Sequence, residues 1–308
     1  MFPFDSHSPQ IKSIAWLFNL EIIIAGVIIL LIAVGIAVAA LRYRYHPGDP
    51  EPPQIAGNRW LEITWTAVPF LILVVLFGYT VNVMAASDPE SAKDVPPDMV
   101  IVGHQWWWEI RYPKANVFTA NEIHLPVGQR LLVQLEASDV VHSFWIPSIA
   151  RKVDLIPGQP RRLWIEASEV GEYAGTCAEF CGTQHARMRL SLLAQSSAEF
   201  ENWLTEQAKP PSDVLSQEAS KGENLYETRT CGNCHALVGI PKESRIGPDL
   251  GHVASRRTLA ANLVDNTPEN LAAWLSDPQS LKPGTLMPNF QFTNEEVQQL
   301  VAYLETLK

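Results

Sequence analysis

The chain has 308 residues, enough for two or three domains, and its 33 acidic against 23 basic residues leave a net charge of −10. That balance excludes nucleic acid as a partner, because phosphate recognition needs a basic surface. The four cysteines fall in two short clusters of metal-binding type, so no disulfide framework is expected.

The first ten residues, MFPFDSHSPQ, are polar and lack a cleavable-signal pattern, so the apolar run behind them is expected to stay in the membrane. From Ile22 to Leu41 no residue is charged, and Arg42 and Arg44 follow at once. Roughly 20 apolar residues cross a bilayer as a helix, which predicts a first span over about 20–42. Ile63 to Ser87 is again uncharged, with Trp60 and Trp65 at its head, and predicts a second span over about 62–86. Residues 1–90 then form an N-terminal segment and a two-helix transmembrane hairpin. A pair of buried core helices is the alternative, and the lengths disfavour it. Arg42, Arg44 and Arg59 lie in the connecting loop, against Lys12 and Lys93 outside it, so the loop is expected in the cytoplasm and both termini outside. Glu62 opens the second span, where a carboxylate complements the helix dipole. Pro69 is expected to kink that span, and Thr64, Thr66 and Asn82 hint at a helix-bundle partner.

Residues 88–98, DPESAKDVPPD, read as a linker. Beyond them come short β-type runs, MVIVGHQWWWEI, EIHLPV, RLLVQLEA, RRLWIEA and RMRLSLL, punctuated by Pro113, Pro126 with Gly128, and Pro157 with Gly158. Such spacing predicts an all-β sandwich or barrel over 95–204. Strand alternation sends Trp106 and Trp108 to one face and Trp107 to the other, so one face of this run is left for a membrane or partner subunit.

Between the last two strands lies CAEFCGTQHARM, residues 177–188. Cys177, Cys181, His185 and Met188 form a set of soft ligands on one loop, the kind that selects copper or zinc over hard cations. Two thiolates on one turn can bridge a pair of coppers, with His185 on one metal, Met188 axial on the other, and a second histidine from elsewhere. His142, in VVHSFWIP, is the candidate. A Cys2His2 zinc site is the alternative, and it leaves Met188 unused.

Lys209, Pro210, Pro211 and Ser212 mark a linker expected over 205–216, and residues 217–308 turn helical. The stretch CGNCH, Cys231 to His235, is a c-type haem attachment pattern: Cys231 and Cys234 can form thioethers, and His235 can ligate the iron. A redox dithiol or half of a zinc site is the alternative. Thr267 before Pro268 predicts a helix start. Thr293 with Glu296 predicts a capping box, opening a C-terminal helix whose Val297, Leu300, Val301 and Leu304 share one face. His7, His46, His104, His124 and His252 are read as surface or structural groups.

With CxEFCGxxHxxM preceded by HSFWIP, the chain resembles subunit II of the cytochrome c oxidases, and every position of that dicopper motif is occupied. The C-terminal part, with CGNCH, GPDL and TLMPNF, resembles a small class I cytochrome c. The resemblance covers nearly the whole chain. It implies a multidomain fold: a transmembrane helical hairpin, an all-β cupredoxin-like domain and a small all-α cytochrome c domain, whose C-terminal helix crosses the first near Gly222 and Tyr226. It implies a dicopper centre on the side chains of His142, Cys177, Cys181, His185 and Met188 with the Glu179 carbonyl, and one covalent haem c with His235 and Met287 on iron. It further implies that the Pro248 carbonyl orients His235, that Trp106 is a surface residue where electrons enter the copper site, and that Glu62 lies near the entrance of a proton channel. The family often has WYW where this chain has WWW at 106–108.

The implied function is electron entry for a cytochrome-c-fused terminal oxidase. Electrons would pass from haem to dicopper centre to subunit I, where oxygen is reduced to water and protons are pumped. Implied partners are subunit I with other membrane subunits, membrane lipid, and an upstream cytochrome or bc-type complex as donor. The setting is the bacterial plasma (inner) membrane, with the copper and haem domains on its outer side. Two readings stand beside it: the electron-entry subunit of a nitric oxide reductase, and a free-standing membrane-anchored electron carrier. A quinol oxidase subunit would lack the copper ligands that are present here.

Overall fold

A computed structural model describes residues 5–87, 92, 94–210, 216–237 and 246–308. Helices α1 (Pro9–Arg42) and α2 (Arg59–Ser87) contain the two predicted spans and begin ahead of them. Asn58 starts α2: its Oδ1 accepts from the amides of Trp60 at 3.0 Å and Leu61 at 3.3 Å, leaving Glu62 in the first turn. Beyond Ile11 and Leu17, which are buried, the apolar side chains of the two spans are mostly open; Leu31 is 66% and Phe77 71% exposed, which fits a lipid-facing pair and not a soluble core. The Thr64 and Thr66 hydroxyls bond back to the carbonyls of Trp60 (2.8 Å) and Glu62 (2.9 Å), so they need no second helix to satisfy them. Residues 12–87 form a unit by themselves.

The rest of the chain carries two five-stranded sheets. In chain order the strands are β1 (Met99–His104), β2 (Trp107–Tyr112), β3 (Val117–Ala120), β4 (Glu122–Pro126) and β5 (Leu131–Ala137), then β6 (His142–Ile146), β7 (Ala150–Leu155), β8 (Arg161–Ile165), β9 (Gly171–Cys177) and β10 (Arg189–Gln195). One sheet runs β3-β2-β1-β5-β8 and the other β4-β10-β9-β6-β7. Between them lies an apolar core of Ile101, Trp108, Ile110, Phe144 and Leu192, each fully buried. Trp108 thus takes the inner face, and the opposite face carries a polar layer. There the His104 Nε2–H donates to Glu109 at 3.0 Å, its Nδ1 lies 2.8 Å from the Ser138 hydroxyl, and Arg111 Nε donates to Glu109 at 2.7 Å.

Glu109 is 1% exposed, and burial alone would raise its pKa. The His104 and Arg111 hydrogen bonds and charges outweigh burial and bring it to about 2 from 4.5. A carboxylate pKa depressed by folding adds stability above pH 4.5 that is lost as pH falls toward 2, here about 3 kcal/mol in full. Glu109→Gln is therefore expected to destabilise the β domain by about that amount at pH 7 and by much less near pH 3. Chemical denaturation followed by tryptophan fluorescence at the two pH values checks this. Equal losses at both would refute the electrostatic account.

Beyond the strands, α3 (Ser197–Gln207) opens on a capping box of Ser196 and Glu199. Its Trp203 stacks on His124 with ring centroids 3.8 Å apart. The linker expected from 205 is corrected by this helix, because the packing of Trp203 and Leu204 against the sandwich carries it to Gln207. At the other end Ser216 already caps the next helix; residues 211–215 lie outside the described residues.

The C-terminal domain consists of α4 (Gln217–Thr228), a two-residue ribbon of β11 (Thr258–Leu259) with β12 (Val264–Asp265), α5 (Pro268–Ser276), α6 (Pro278–Leu281) and α7 (Asn294–Leu304). Thr267 caps α5, and Thr293 with Glu296 forms the expected box on α7. Helices α4 and α7 cross at Gly222, where a Cβ would stand 2.0 Å from the Gln299 carbonyl oxygen, so only glycine permits the contact. Tyr226 packs beside Tyr303 at the same crossing.

Candidate metal centre

Strands β6 and β9 pair with Phe144 opposite Cys177, which brings His142 next to the end of β9. The loop after Cys177 closes on itself: the Cys177 amide donates to the Met188 carbonyl at 3.0 Å, and a 3-10 turn follows Gly182, whose φ of +116° suits glycine. Five side-chain donors converge as a result. Cys177 Sγ lies 3.8 Å from Cys181 Sγ and 3.9 Å from His142 Nδ1; Cys181 Sγ lies 3.7 Å from both His185 Nδ1 and Met188 Sδ. The Glu179 carbonyl is 3.2 Å from Cys177 Sγ. His142, Cys177, Cys181 and Met188 are all buried.

The thiol pair tests whether a metal fits. A hydrogen bond from Cys181, with others from His142 and two backbone groups, pulls the Cys177 thiol down to about 3, while that same thiolate pushes Cys181 far above its ordinary value. One buried thiolate therefore forbids the second. Both can be anionic together only around cations, so this donor set suits soft metal ions.

Two residues without a sequence signal of their own, Asp139 and Gln105, support the loop together with Trp106. Asp139 Oδ1 accepts from His142 Nε2–H at 2.8 Å, which fixes the tautomer and leaves Nδ1 facing the sulfur. Asp139 also accepts from the Gln105 amide at 2.6 Å. The Cys181 carbonyl accepts twice, from Gln105 Nε2 at 2.7 Å and from Trp106 Nε1 at 3.0 Å.

In the helical domain, Cys231, Cys234, His235 and Met287 line one cleft with roughly 1360 Å³ of empty space, part of it open to solvent. His235 Nδ1–H donates to the Pro248 carbonyl at 2.8 Å, as expected, leaving Nε2 unprotonated. Burial lowers the pKa of His235, which favours this neutral form. Gln279 Nε2 holds the Met287 loop through the carbonyls of Thr285 (2.8 Å) and Met287 (3.0 Å). A neutral imidazole, a thioether and two thiols around an apolar cleft suit a covalently held haem.

Trp106 is not the surface residue that the sequence suggested. It is 9% exposed, because the helical domain packs on the turn between β1 and β2, and Gln105, Trp106 and Trp107 line the cleft together with the cysteines. Trp107 faces outward from the sandwich, yet it is buried, stacked on His104 at 4.3 Å and donating from Nε1 to the Ile246 carbonyl at 3.2 Å. The face left over by alternation is thus covered from within the chain.

The junction is also polar. Buried Glu122 accepts from the amides of Arg257 (2.7 Å) and Thr258 (3.0 Å), and Arg257 pairs with Glu172 at 2.6 Å. Lys282 is 3% exposed, and burial, with Arg187 nearby, pushes its ammonium down to about 7. Glu62, on the other unit, lies away from both sites in sequence and is exposed in the first turn of α2.

Three family models match the chain: the transmembrane domain of cytochrome c oxidase subunit II over residues 1–83, the periplasmic domain of that subunit over 115–195, and cytochrome c over 219–308. Cytochrome c oxidase subunit 2 of Alkalihalophilus pseudofirmus is 34% identical, covering 99% of this chain and 90% of the relative. The subunit of the same name from Bacillus subtilis is 34% identical over 83% of this chain and 77% of its own length. Among solved structures, the periplasmic domain of subunit II of cytochrome oxidase from Bradyrhizobium japonicum is 29% identical, covers 36% of this chain and 94% of its own, and gives a TM-score of 0.35.

Proposed function

Because the chain belongs to the cytochrome c oxidase subunit II family, and so is a subunit of a haem-copper terminal oxidase, we propose that it is the electron-entry subunit of an oxidase that carries its own cytochrome c. The observation that carries this reading is Trp106: one residue lines the haem-type cleft and bonds the Cys181 carbonyl at 3.0 Å. When bound, a haem and a pair of coppers supply one-electron redox chemistry without proton transfer.

The residues around them bind and orient. His142, Cys177, Cys181, His185 and Met188, with the Glu179 carbonyl, hold the two coppers, and Asp139 sets the His142 ring. Cys231 and Cys234 fix the haem covalently, while His235 and Met287 bind its iron. Trp106 gives a short path of bonds from cleft to copper loop. Burial of His142, Cys177, Cys181 and Met188 excludes water from the copper site and limits rearrangement there on electron transfer.

The two apolar helices anchor the chain in the bacterial plasma membrane, with both soluble domains outside and subunit I beside the helices. Glu62, at the end of α2 next to the arginine-bearing loop, then faces the cytoplasm, where a proton-channel entrance belongs. The electron donor is an upstream cytochrome or bc-type complex, and subunit I reduces oxygen and pumps protons.

Metal analysis and electron paramagnetic resonance on the complex purified from its membranes test the reading. The expected result is two coppers sharing one mixed-valence signal and one covalent haem per chain, with oxygen consumed when the haem is supplied with electrons. A single copper, or stoichiometric zinc, would end the dicopper assignment. Turnover of nitric oxide without oxygen uptake would favour the reductase reading.

A further inference from the structure

The segment leading to Met287 is gripped by the copper domain at every residue from Leu281 to Gly284. Arg187 Nη1 donates to the Leu281 carbonyl at 3.0 Å, and Gln184 Nε2 donates to the Pro283 carbonyl. At Gly284, with φ of +87°, an added Cβ would stand 2.9 Å from Thr183 Cγ2. Thus residues 183–187, which include His185, interlock with the stretch that ends just before Met287.

Lys282 lies at the centre of this contact and reaches the other way. Its Nζ donates to the Trp106 carbonyl at 2.9 Å and to the Ala260 carbonyl at 3.0 Å. Among the described residues it has carbonyl partners and no carboxylate partner. A buried ammonium that no carboxylate pairs is costly to desolvate, so packing alone does not account for it. What it gains is a bond between domains: Ala260 belongs to the helical domain and Trp106 to the sandwich. Trp106 is then held at both ends, its carbonyl by Lys282 and its indole on the Cys181 carbonyl.

We propose that Lys282 is a positioning residue that fixes the Met287-bearing loop on the copper loop through the Trp106 main chain. The helical domain is therefore docked at one separation from the copper site, and does not search for it on a tether. The inference rests on the functional reading above for its consequence, and on the contacts alone for its geometry.

The test uses the full-length chain. Lys282→Met keeps the length of the apolar stem and removes the donors; a Gln184→Ala, Arg187→Ala double variant loosens the same contact from the copper side and replaces it if the first does not accumulate. Pulsed electron paramagnetic resonance on protein loaded with both cofactors reads the haem-to-copper distance distribution. It should be narrow in the natural chain and broad in either variant, with each cofactor's own spectrum unchanged. Transfer from pre-reduced haem to copper should slow roughly tenfold or more, since small misplacements are costly. A broad distribution in the natural chain, or variants that match it in both width and rate, would overturn the proposal. Hydrogen exchange on the chain without cofactors separates this from the functional reading. Lys282→Met should speed exchange in residues 181–187 as well as 281–287; acceleration confined to 281–287 would also overturn it. A natural chain that shows coupled exchange but no dicopper signal would count against the function and not against the clamp.

Discussion

Cys181→Ser should empty the copper site of both metals, not one. Cys181 Sγ is the hub of the cluster, within 3.8 Å of Cys177 Sγ and 3.7 Å of both His185 Nδ1 and Met188 Sδ. Of the two thiols, only this one approaches both the other thiol and the Met188 thioether. A serine hydroxyl is a harder ligand that copper does not favour, and at neutral pH it stays protonated. Weakening one outer-shell partner typically costs 10–100-fold in metal affinity, and loss of a donor that would serve both coppers of the proposed centre should exceed this, leaving copper below roughly one tenth of the natural content. Haem content should not change, since Cys231 and Cys234 belong to a different cluster. Metal analysis with electron paramagnetic resonance decides the matter. A full complement of copper with the mixed-valence signal intact would remove Cys181 from the ligand set.

Local chemistry was legible in the sequence, and contacts between distant segments were not. Thr267, Thr293 and Glu296 act within one turn of their own position, so the caps they announce are present. Cys177 to Met188 is likewise one loop, and its donors had only to fold back on each other. Asp139 and Gln105 carry no such mark. Their roles depend on the β1–β2 turn lying beside the copper loop, a consequence of sheet topology that no spacing encodes. The error over Trp106 has the same origin. Strand alternation correctly separates Trp107 from Trp106 and Trp108, but it does not state what covers the outward face. Here a second domain of the same chain does so, and the cation that pins it, Lys282, reads in sequence as an ordinary loop lysine before a proline. The last helix of the sandwich runs past residue 205 for a related reason: the stack of Trp203 on His124 joins residues far apart in the chain.

At the haem-type cleft, Gly247→Ala should be far more damaging than its size suggests. A Cβ at this position would lie 2.5 Å from His235 Cε1 and 2.8 Å from Nδ1. Neither partner can yield easily. The ring is anchored through Nδ1 to the Pro248 carbonyl at 2.8 Å, and the His235 carbonyl accepts from Tyr226 Oη at 3.0 Å. Gly247 is fixed in turn by its amide, which donates to the Cys234 carbonyl at 3.1 Å. The clash must therefore be relieved by tilting the imidazole and breaking its bond to Pro248, which leaves Nε2 misdirected and the ring without its orienting partner. Gly232→Ala supplies the contrast within the attachment pattern itself, because its nearest neighbour would be Tyr226 Cε1 at 3.9 Å, an ordinary contact. Both variants should retain covalent haem on Cys231 and Cys234. Only Gly247→Ala should lose the low-spin absorption spectrum and shift the haem midpoint potential, by on the order of 100 mV, as expected when an axial ligand is disturbed. Optical redox titration of the two variants side by side reads this directly. If the alanine at 247 left both spectrum and potential as they were, an imidazole displaced by a hard contact would still be serving the iron, which is not physically consistent, and His235 would have to give up its place as the proximal ligand.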